Sequence, residues 1–229
     1  MKTILTILIF SLLFACATET QQKGLDEIAN HYKASTSFSK GFQTIDSKTL
    51  SNFKVQLSDS EMLDSLKSGV TLSNVALILF KNLTVEERKK YDYFYIEHIK
   101  KNSDTIKYIF TPNSLNAGLI QSKLFTDFSD KLLAKEYKLA AKMLDPIYYQ
   151  EESEDSFTNY VTNLTNKHGE IMDYKRTGFG TIEPNKGELM YSFNGFLTFA
   201  DGYKRNYIIM TSQKTNGEFL LGYNLEGKS

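Results

Sequence analysis

The sequence has few of the residues on which small secreted folds and metal centres depend. Its 229 residues include one cysteine, three prolines and no tryptophan. A single cysteine excludes an internal disulfide framework and every metal site built from several cysteines. The chain also lacks an excess of positive charge, because its 27 basic and 27 acidic side chains cancel. Since nucleic-acid binders gain most of their affinity by neutralising phosphates, we expect no nucleic-acid partner.

The residues that are present are typical of a folded protein. Hydrophobic residues make up 41% of the chain and charged residues 24%, which are ordinary values for globular domains and exclude wholesale disorder. At about 100–200 residues per domain, the length allows one or two domains, each large enough to bury a core.

A short hydrophobic stretch lies at the N-terminus. Residues 4–14 are apolar except for Thr6 and Ser11, and a single charge at Lys2 precedes them. This length matches the apolar region of a signal peptide, about 7–15 residues, and is shorter than the ~18 residues that span a bilayer. No later stretch approaches the spanning length. We therefore predict a signal peptide over residues 1–15 and no polytopic membrane protein.

The four residues Leu13-Phe14-Ala15-Cys16 follow this stretch. They resemble the lipobox of bacterial lipoproteins, in which the cysteine is acylated and becomes the mature N-terminus. The resemblance implies lipidation of Cys16, and two acyl chains suffice for stable membrane attachment. Because Ala17 rather than aspartate follows, it also implies the outer membrane, with the protein facing the periplasm or the surface. Residues 16–24 are then the lipidated cysteine and a short tether. The alternative is an ordinary secretory peptide with a coincidental cysteine.

The hydrophobic periods of residues 25–112 predict a small module with both helices and strands. Apolar residues spaced by three and four predict helices, and strict alternation predicts strands. Residues 35–39 are interpreted as a hydroxyl-rich break, and residues 84–87 as a helix capping box. The order of elements predicts a mixed sheet with helices on one side. The predicted elements are a helix over 25–32, a strand over 53–57, a helix capped by Asp59 or Ser60, a helix over 72–83, and strands over 93–99 and 105–111.

The hydrophobic periods of residues 113–229 predict a second module, which is joined to the first through a linker at 113–118. Asp-Gly and Asn-Gly pairs separate its last three strands and favour tight hairpins. The fold class is therefore α+β: a mixed αβ N-terminal module followed by helices packed on a four-stranded antiparallel curved sheet. The predicted elements are a helix over 133–144, a helix capped by Ser156 and closed by Gly169, and strands over 170–182, 188–200, 203–213 and 218–225.

Two segments of this second module carry a resemblance. TNYVTNLTNKHGEIMDYKR, beginning at Thr158, and DGYKRNYIIMTSQKTNGEFLLGYNLEG, beginning at Asp201, resemble parts of the NTF2-like, or cystatin-like, α+β cone. The resemblance covers about 114–228 and implies a pocket between helices and sheet. It implies no single function, because this scaffold has many.

Candidate pocket residues follow from that resemblance. In ketosteroid-isomerase-like members a tyrosine and an aspartate in the pocket carry the chemistry, and Asp173, Tyr174 and Tyr191 are available in the corresponding region. Tyr223 is a further candidate, because a buried tyrosine needs a partner for its hydroxyl and is expected near a rim. The alternative for Asp173 is a solvated ion pair with Lys175.

Strict alternation places two apolar sets on single faces of their strands. We expect Phe193 and Phe219 to be mostly buried beneath the helices, with Tyr191 and Tyr223 nearer the pocket mouth. The two sets are Leu189, Tyr191, Phe193, Leu197 and Phe199, and Phe219, Leu221, Tyr223 and Leu225.

The three histidines give no catalytic or metal-binding pattern. His31 lies off the apolar stripe of its helix and is expected at the surface. His98 follows Glu97 on a strand, so the two side chains point to opposite faces and cannot chelate together. His168 precedes Gly169 at a helix C-terminus, where a cation interacts favourably with the helix dipole. We therefore predict no catalytic residues, no metal and no cofactor.

Two other patterns have structural explanations. The acidic residues at 151, 152, 154 and 155 are interpreted as a solvated loop, with a weak cation site as the alternative. The strand glycines Gly178 and Gly180 indicate a bend or bulge in a curved sheet.

Three hypotheses for function remain. The leading one is a lipid-anchored cell-envelope protein, without catalysis, that binds a ligand or a partner protein. The second is a small-molecule enzyme that uses the pocket of the C-terminal cone. The third is a structural component of the envelope. A pocket filled by phenylalanine and tyrosine side chains would favour the first, whereas an apolar pocket with a buried aspartate or tyrosine of shifted pKa would favour the second.

Overall fold

The computed structural model describes residues 17–45, 47–102, 104–183, 188–215 and 217–225. The predicted signal peptide and Cys16 lie outside the described residues. Within them the chain is α+β, as predicted, with two four-stranded sheets. The described helices are α1 (Glu19–Tyr32), α2 (Glu61–Ser65), α3 (Ser68–Asn82), α4 (Val85–Arg88), α5 (Pro112–Leu133), α6 (Tyr137–Ala141) and α7 (Glu151–His168). The described strands are β1 (Ser35–Ile45), β2 (Lys48–Ser58), β3 (Tyr93–Ile99), β4 (Thr105–Phe110), β5 (Ile171–Ile182), β6 (Met190–Phe199), β7 (Lys204–Ser212) and β8 (Leu220–Asn224).

The first sheet has the order β1-β2-β3-β4 and is mixed. Strands β2 and β3 are parallel, because helices α2 to α4 form the crossover between them, and the two outer pairs are antiparallel. The mixed sheet is confirmed, but the predicted break at 35–39 is wrong. Those residues begin β1, which pairs with β2 from Ser35 to Ile45. Tertiary pairing with the regular strand β2 outweighs the local preference of hydroxyl residues for turns.

Capping residues fix where the helices begin. Ser60 accepts a hydrogen bond from the backbone of Leu63, and Thr84 forms the predicted capping box with Glu87. A second box, between Thr18 and Gln21, starts α1 at Glu19. The tether predicted for residues 16–24 is therefore helical from Glu19 onward, because the side chain of Thr18 satisfies the first free N–H groups.

Three further boundaries differ from the prediction. The linker predicted at 113–118 forms the first turns of α5, since Thr111 caps that helix, Pro112 occupies its first turn and Leu115 is buried. The single helix predicted over 133–144 is instead the end of α5 followed by the short α6. Helix α7 begins at Glu151 rather than after Ser156, and Gly169 ends it as predicted, with φ of 81°.

The second sheet is the predicted antiparallel meander, in the order β5-β6-β7-β8. On β6 the predicted face is buried, with Phe193 and Leu197 both 0% exposed, whereas Phe219 is partly exposed. The alternation predicted for the last strand is wrong at one position. Consecutive residues Met210 and Thr211 of β7 pair with Gly222 and Leu220, so Leu221 is the extra residue of a bulge in β8, and Leu220 rather than Leu221 is buried in the core.

The two halves of the chain share one core. Buried apolar residues from both form a single cluster. Strand β5, at the edge of the second sheet, packs on α3 of the first half, where a side chain at Gly178 would meet Val70 at 3.1 Å. The division into modules at 25–112 and 113–229 stays a prediction, and the contact between them is extensive and apolar.

Candidate functional site

Aromatic rings fill the space between α5, α7 and the second sheet, where the cone resemblance implies a pocket. Phe125 stacks on Tyr207 with ring centroids 5.2 Å apart. Tyr223 lies 5.4 Å from Phe128 and 4.7 Å from Phe157 by the same measure. The hydroxyl of Tyr207 is satisfied, lying 2.5 Å from that of Ser129. This interior is therefore a packed core.

The four predicted pocket residues are not brought together. Tyr191 is 1% exposed, and its hydroxyl has no partner among the described residues, so the rim position predicted for it is wrong. Tyr223 is partly exposed within the aromatic stack, and Asp173 is exposed. Tyr174 lines an open cleft, with its hydroxyl donating to Asp130 Oδ1 at 2.7 Å. The Lys175 ammonium donates to the backbone carbonyl of His31.

An open cleft of about 450 Å³ lies beside Tyr174, between α1, α3, α5 and β5. Both halves of the chain contribute walls, since α1 and α3 precede residue 113 and α5 and β5 largely follow it. A register shift in β5 between Arg176 and Gly178 confirms the predicted bulge and marks the end of the run that lines the cleft. Tyr174 and Arg176, two positions apart, share the face of β5 that looks into the cleft.

A buried hydrogen-bond network holds the wall of the cleft in place. Asn74, in the middle of α3, is 0% exposed. Its Oδ1 accepts from Arg176 Nε at 2.7 Å, and its Nδ2 donates to Tyr32 Oη at 2.7 Å and to the Arg176 carbonyl at 3.2 Å. Tyr32 Oη in turn donates to the carbonyl of Thr177 at 3.2 Å. Burial raises the pKa of Tyr32, which therefore stays neutral and able to donate.

The guanidinium of Arg176 is the unusual charge in this network. Only its Nε is hydrogen-bonded to another described side chain, and that partner, Asn74, is neutral. Within the part of the chain that the structure describes, no carboxylate lies within 4.0 Å of the guanidinium. Its central carbon lies 5.9 Å from the centre of the Phe193 ring. Burial lowers the pKa of Arg176, although a guanidinium remains charged in proteins.

His31 forms part of the same wall. The prediction of a solvated surface histidine is wrong, because the residue is half-buried and its Nε2 is shielded without a partner among the described residues. Burial, followed by the charge of Lys175, lowers the pKa of His31 to about 4. The imidazole is therefore neutral near pH 7.

Positive side chains outnumber negative ones in the lining of the cleft. Glu27 is already engaged, with Oε1 3.6 Å from Lys81 Nζ and Oε2 accepting from Asn82 Nδ2 at 2.8 Å. The lining contains three cations, Lys81, Lys123 and Arg176, against this one carboxylate, which leaves two positive charges. The cleft is thus a positively charged site on a protein without net charge.

The serine and the histidine that line the cleft do not form a nucleophile–base pair. Ser122, the serine of the lining, donates its hydroxyl to the Leu119 carbonyl at 2.8 Å, which is a bond within its own helix. His31 Nε2 has no hydroxyl partner among the described residues. Acyl or group transfer needs a nucleophile within hydrogen-bond reach of a base. Ser122 and His31 do not meet that requirement.

The other histidines and the acidic segment lie elsewhere. His98 is buried with Nε2 3.2 Å from Asp64 Oδ1, on the face opposite Glu97 as predicted. His168 Nδ1 lies 2.8 Å from Asp201 Oδ2, near a helix C-terminus.

The described part of the acidic segment pairs with lysines rather than gathering around a cation. Glu154 accepts from Tyr149 Oη at 2.5 Å and lies 3.6 Å from both Lys138 and Lys142. The side chains at 151 and 152 lie outside the described residues. Among those described, no three His, Cys, Asp or Glu side chains are grouped as a metal site would require.

Comparison with known proteins adds no identity to this site. No protein-family model matches the sequence, and no curated protein matches it either. None of the described helices combines the length and the apolar character needed to cross a bilayer.

Proposed function

We propose that the protein is a lipid-anchored, non-catalytic binding protein of the cell envelope, which takes a small ligand in the cleft between α1, α3, α5 and β5. The observation that carries the proposal is the contrast between a filled interior and an open cleft whose wall is fixed by the Asn74 network. Ligand sites are typically concave, largely pre-formed and equipped with a few fixed polar groups.

The proposed anchor is Cys16, and the start of α1 bears on how it would act. One residue, Ala17, separates Cys16 from the helix cap Thr18. The side chains of Thr18, Thr20 and Gln21 all donate to the carboxylate of Glu87. A lipid on Cys16 would therefore hold the folded body close to the bilayer rather than on a long flexible stalk. The outer membrane, facing the periplasm or the surface, is the proposed location.

We also propose that residues 113–229 belong to the NTF2-like cone. Support comes from the four-stranded antiparallel meander, its bulges, and the cover provided by α5 and α7. In this proposal the ligand binds at the contact between the two halves of the chain, because side chains fill the interior of the cone.

The anchor is tested by Cys16→Ser in a bacterium with an outer membrane, with the native leader retained. We expect the variant to lose incorporation of a labelled fatty acid and to leave the membrane fraction, because no described helix can span the bilayer. Ala17→Ser is the matched control and should stay acylated. Cys16→Ser protein that remains membrane-bound after leader cleavage would overturn the anchor.

The ligand site is tested by closing the cleft. Thr126 is exposed and lines it, so Thr126→Trp should fill it, whereas Ile120→Trp changes an exposed position of the same helix outside it. Thermal melting is measured with a panel of small neutral, cationic and anionic organic compounds. At least one compound should raise the melting temperature of the wild type and of Ile120→Trp but not of Thr126→Trp. If no compound shows this pattern, the cleft is not a ligand site and a structural role in the envelope is favoured.

A further inference from the structure

We infer that the ligand of the cleft is a small organic anion whose carboxylate or phosphate group pairs with the guanidinium of Arg176. The inference rests on the proposed function, because it names the chemical class of what the cleft binds. It is carried by the position and the partners of Arg176.

Arg176 is a partly buried charge, and the one described carboxylate that interacts with it, Glu27, lies more than 4.0 Å from the guanidinium. Removing an ion from water is costly, and buried charges in proteins are normally paired with an opposite charge. Here the one side-chain partner is the neutral amide of Asn74, at 2.7 Å from Nε. Glu27, the carboxylate that lines the same cleft, is engaged by Lys81 and Asn82. The missing component of the site is therefore an anion supplied from solution.

The geometry leaves the correct edge of the guanidinium available. Asn74 occupies Nε, so the two Nη groups remain, and they form the fork that matches two oxygens of a carboxylate or phosphate. Asn74 is itself held by Tyr32 at 2.7 Å and is fully buried. The fork is thus oriented before the ligand arrives, which reduces the entropy lost on binding.

The other charges around the cleft favour the same sign of ligand. Lys123 adds a second cation that the lining does not neutralise, since Glu27 offsets Lys81. His31 is neutral near pH 7 and therefore adds no charge to the cleft. A cationic ligand would meet uncompensated repulsion at Arg176.

The rest of the lining indicates an organic body rather than a bare inorganic ion. Ile78, Leu119 and Phe125 supply an apolar wall. The volume of about 450 Å³ falls within the range of ~300–1,000 Å³ that is usual for small-molecule sites. Contact with these side chains removes apolar surface of the ligand from water, a contribution that inorganic phosphate cannot make.

The test uses probes that share a ring and differ in charge: benzoate, phenyl phosphate, neutral benzamide and cationic benzylamine, together with inorganic phosphate. Their binding to the whole mature chain is titrated by NMR. We expect benzoate, phenyl phosphate or both to bind more tightly than the other three. Arg176→Gln should weaken that binding about 10-fold or more, which corresponds to losing a charge-assisted pair.

Two further variants keep this test decisive. Arg176→Lys retains the charge but not the fork, so its affinity should lie between those of the wild type and Arg176→Gln. Arg205→Gln removes another partly buried guanidinium, which bonds Leu225 and Tyr160 away from the cleft, and should leave binding unchanged.

Three outcomes would overturn the inference. Tighter binding of benzamide or benzylamine that Thr126→Trp abolishes would refute the anion while leaving the proposed ligand site intact. Anion binding that is equal in wild type, Arg176→Gln and Arg176→Lys would refute the role of Arg176. Failure of every probe to bind in a manner sensitive to Thr126→Trp would remove the proposed function as well.

Discussion

The aromatic interior and the cleft lie against the same sheet and share Phe125, yet they differ in what they contain. In the interior, rings pack on rings and the hydroxyls of Ser129 and Tyr207 satisfy each other. In the cleft, a guanidinium is held by a neutral amide and an imidazole nitrogen has no described partner. The difference is one of charge: the rings and hydroxyls of the interior are uncharged, whereas the cleft holds a guanidinium whose side-chain hydrogen bond goes to a neutral amide.

The two regions also differ in which parts of the chain build them. The interior is made by α5, α7 and the second sheet, all after residue 110. The cleft additionally needs α1 and α3, through Tyr32, His31 and Asn74. Stability of the second half and formation of the cleft can therefore be separated experimentally.

The largest effect is expected from removing the first half of the chain. Residues 111–229 are expected to fold alone, because they retain the aromatic interior and the cap of α5 at Thr111. The fragment should be several kcal/mol less stable than the whole chain, since β5 loses its packing against α3, and it should not bind the cleft's ligand. Urea unfolding of the fragment and of the whole chain measures the difference in stability. A fragment without a cooperative transition would show that the halves cannot be separated at all.

The next effect concerns the packing of the interior. Phe193→Ala should reduce the free energy of unfolding by about 3–5 kcal/mol, because the ring is 0% exposed and its removal leaves a cavity. Phe196→Ala is the control on the opposite, partly exposed face of β6, where Lys204 lies 4.7 Å from the ring centre. Its loss should be clearly smaller. Equal losses would mean that the two faces of β6 are buried alike.

A smaller effect tests the wall of the cleft. Asn74→Ala should cost about 2–3 kcal/mol of stability, because it leaves Arg176 Nε and the Tyr32 hydroxyl with fewer partners in a buried position. Ser73→Ala, one residue earlier in α3, removes a hydroxyl that bonds the Gly69 carbonyl within its own helix. It should change the stability much less. A harmless Asn74→Ala would contradict the network as the support of the guanidinium.

The smallest effect is a dependence on pH. The pKa of His31 is lowered to about 4 by burial and by Lys175. As the pH falls through about 6.5 the unfolded chain binds a proton that the folded chain does not bind until about pH 4, so stability is lost over this window. Urea unfolding near pH 7 and near pH 4.5 should show a loss about 1–3 kcal/mol smaller in His31→Gln than in wild type. Equal losses would show that His31 is not shielded.

Local signals in the sequence predicted much of the fold. The meander of β5 to β8 follows from alternation and from Asp-Gly and Asn-Gly turns, and the parallel pair β2–β3 follows from the helical crossover. Errors occurred where tertiary contacts outweigh local composition. The polar segment at 113–118 becomes helical because Leu115 and Gly118 face the core, and the hydroxyl-rich start of β1 becomes a strand because β2 offers an edge.

The candidate site was predicted less well than the fold. Tyr174 was singled out and does line the cleft, but Asp173, Tyr191 and Tyr223 lie apart from it. The available signal for the rest of the site was Arg176, which lies two residues after Tyr174 on the same face of β5. Its importance could not be read from that spacing, because an arginine at this position can equally face solvent. Asn74 resembles any polar residue within a helix until its partners are known.

The sequence by itself determined the elements that depend on neighbours along the chain: the capping box of α4, the hairpin between β6 and β7, and the buried face of β6. Tertiary structure alone decided that β5 packs on α3, that aromatic side chains fill the cone, and that Asn74 meets Arg176 at a separation of 102 residues. Periodicity records which face of an element is apolar, whereas the partner of that face depends on how all elements pack together. The positive charge of the cleft was likewise decided by tertiary structure, because the packing of α1, α3, α5 and β5 determines which charged side chains lie around Arg176.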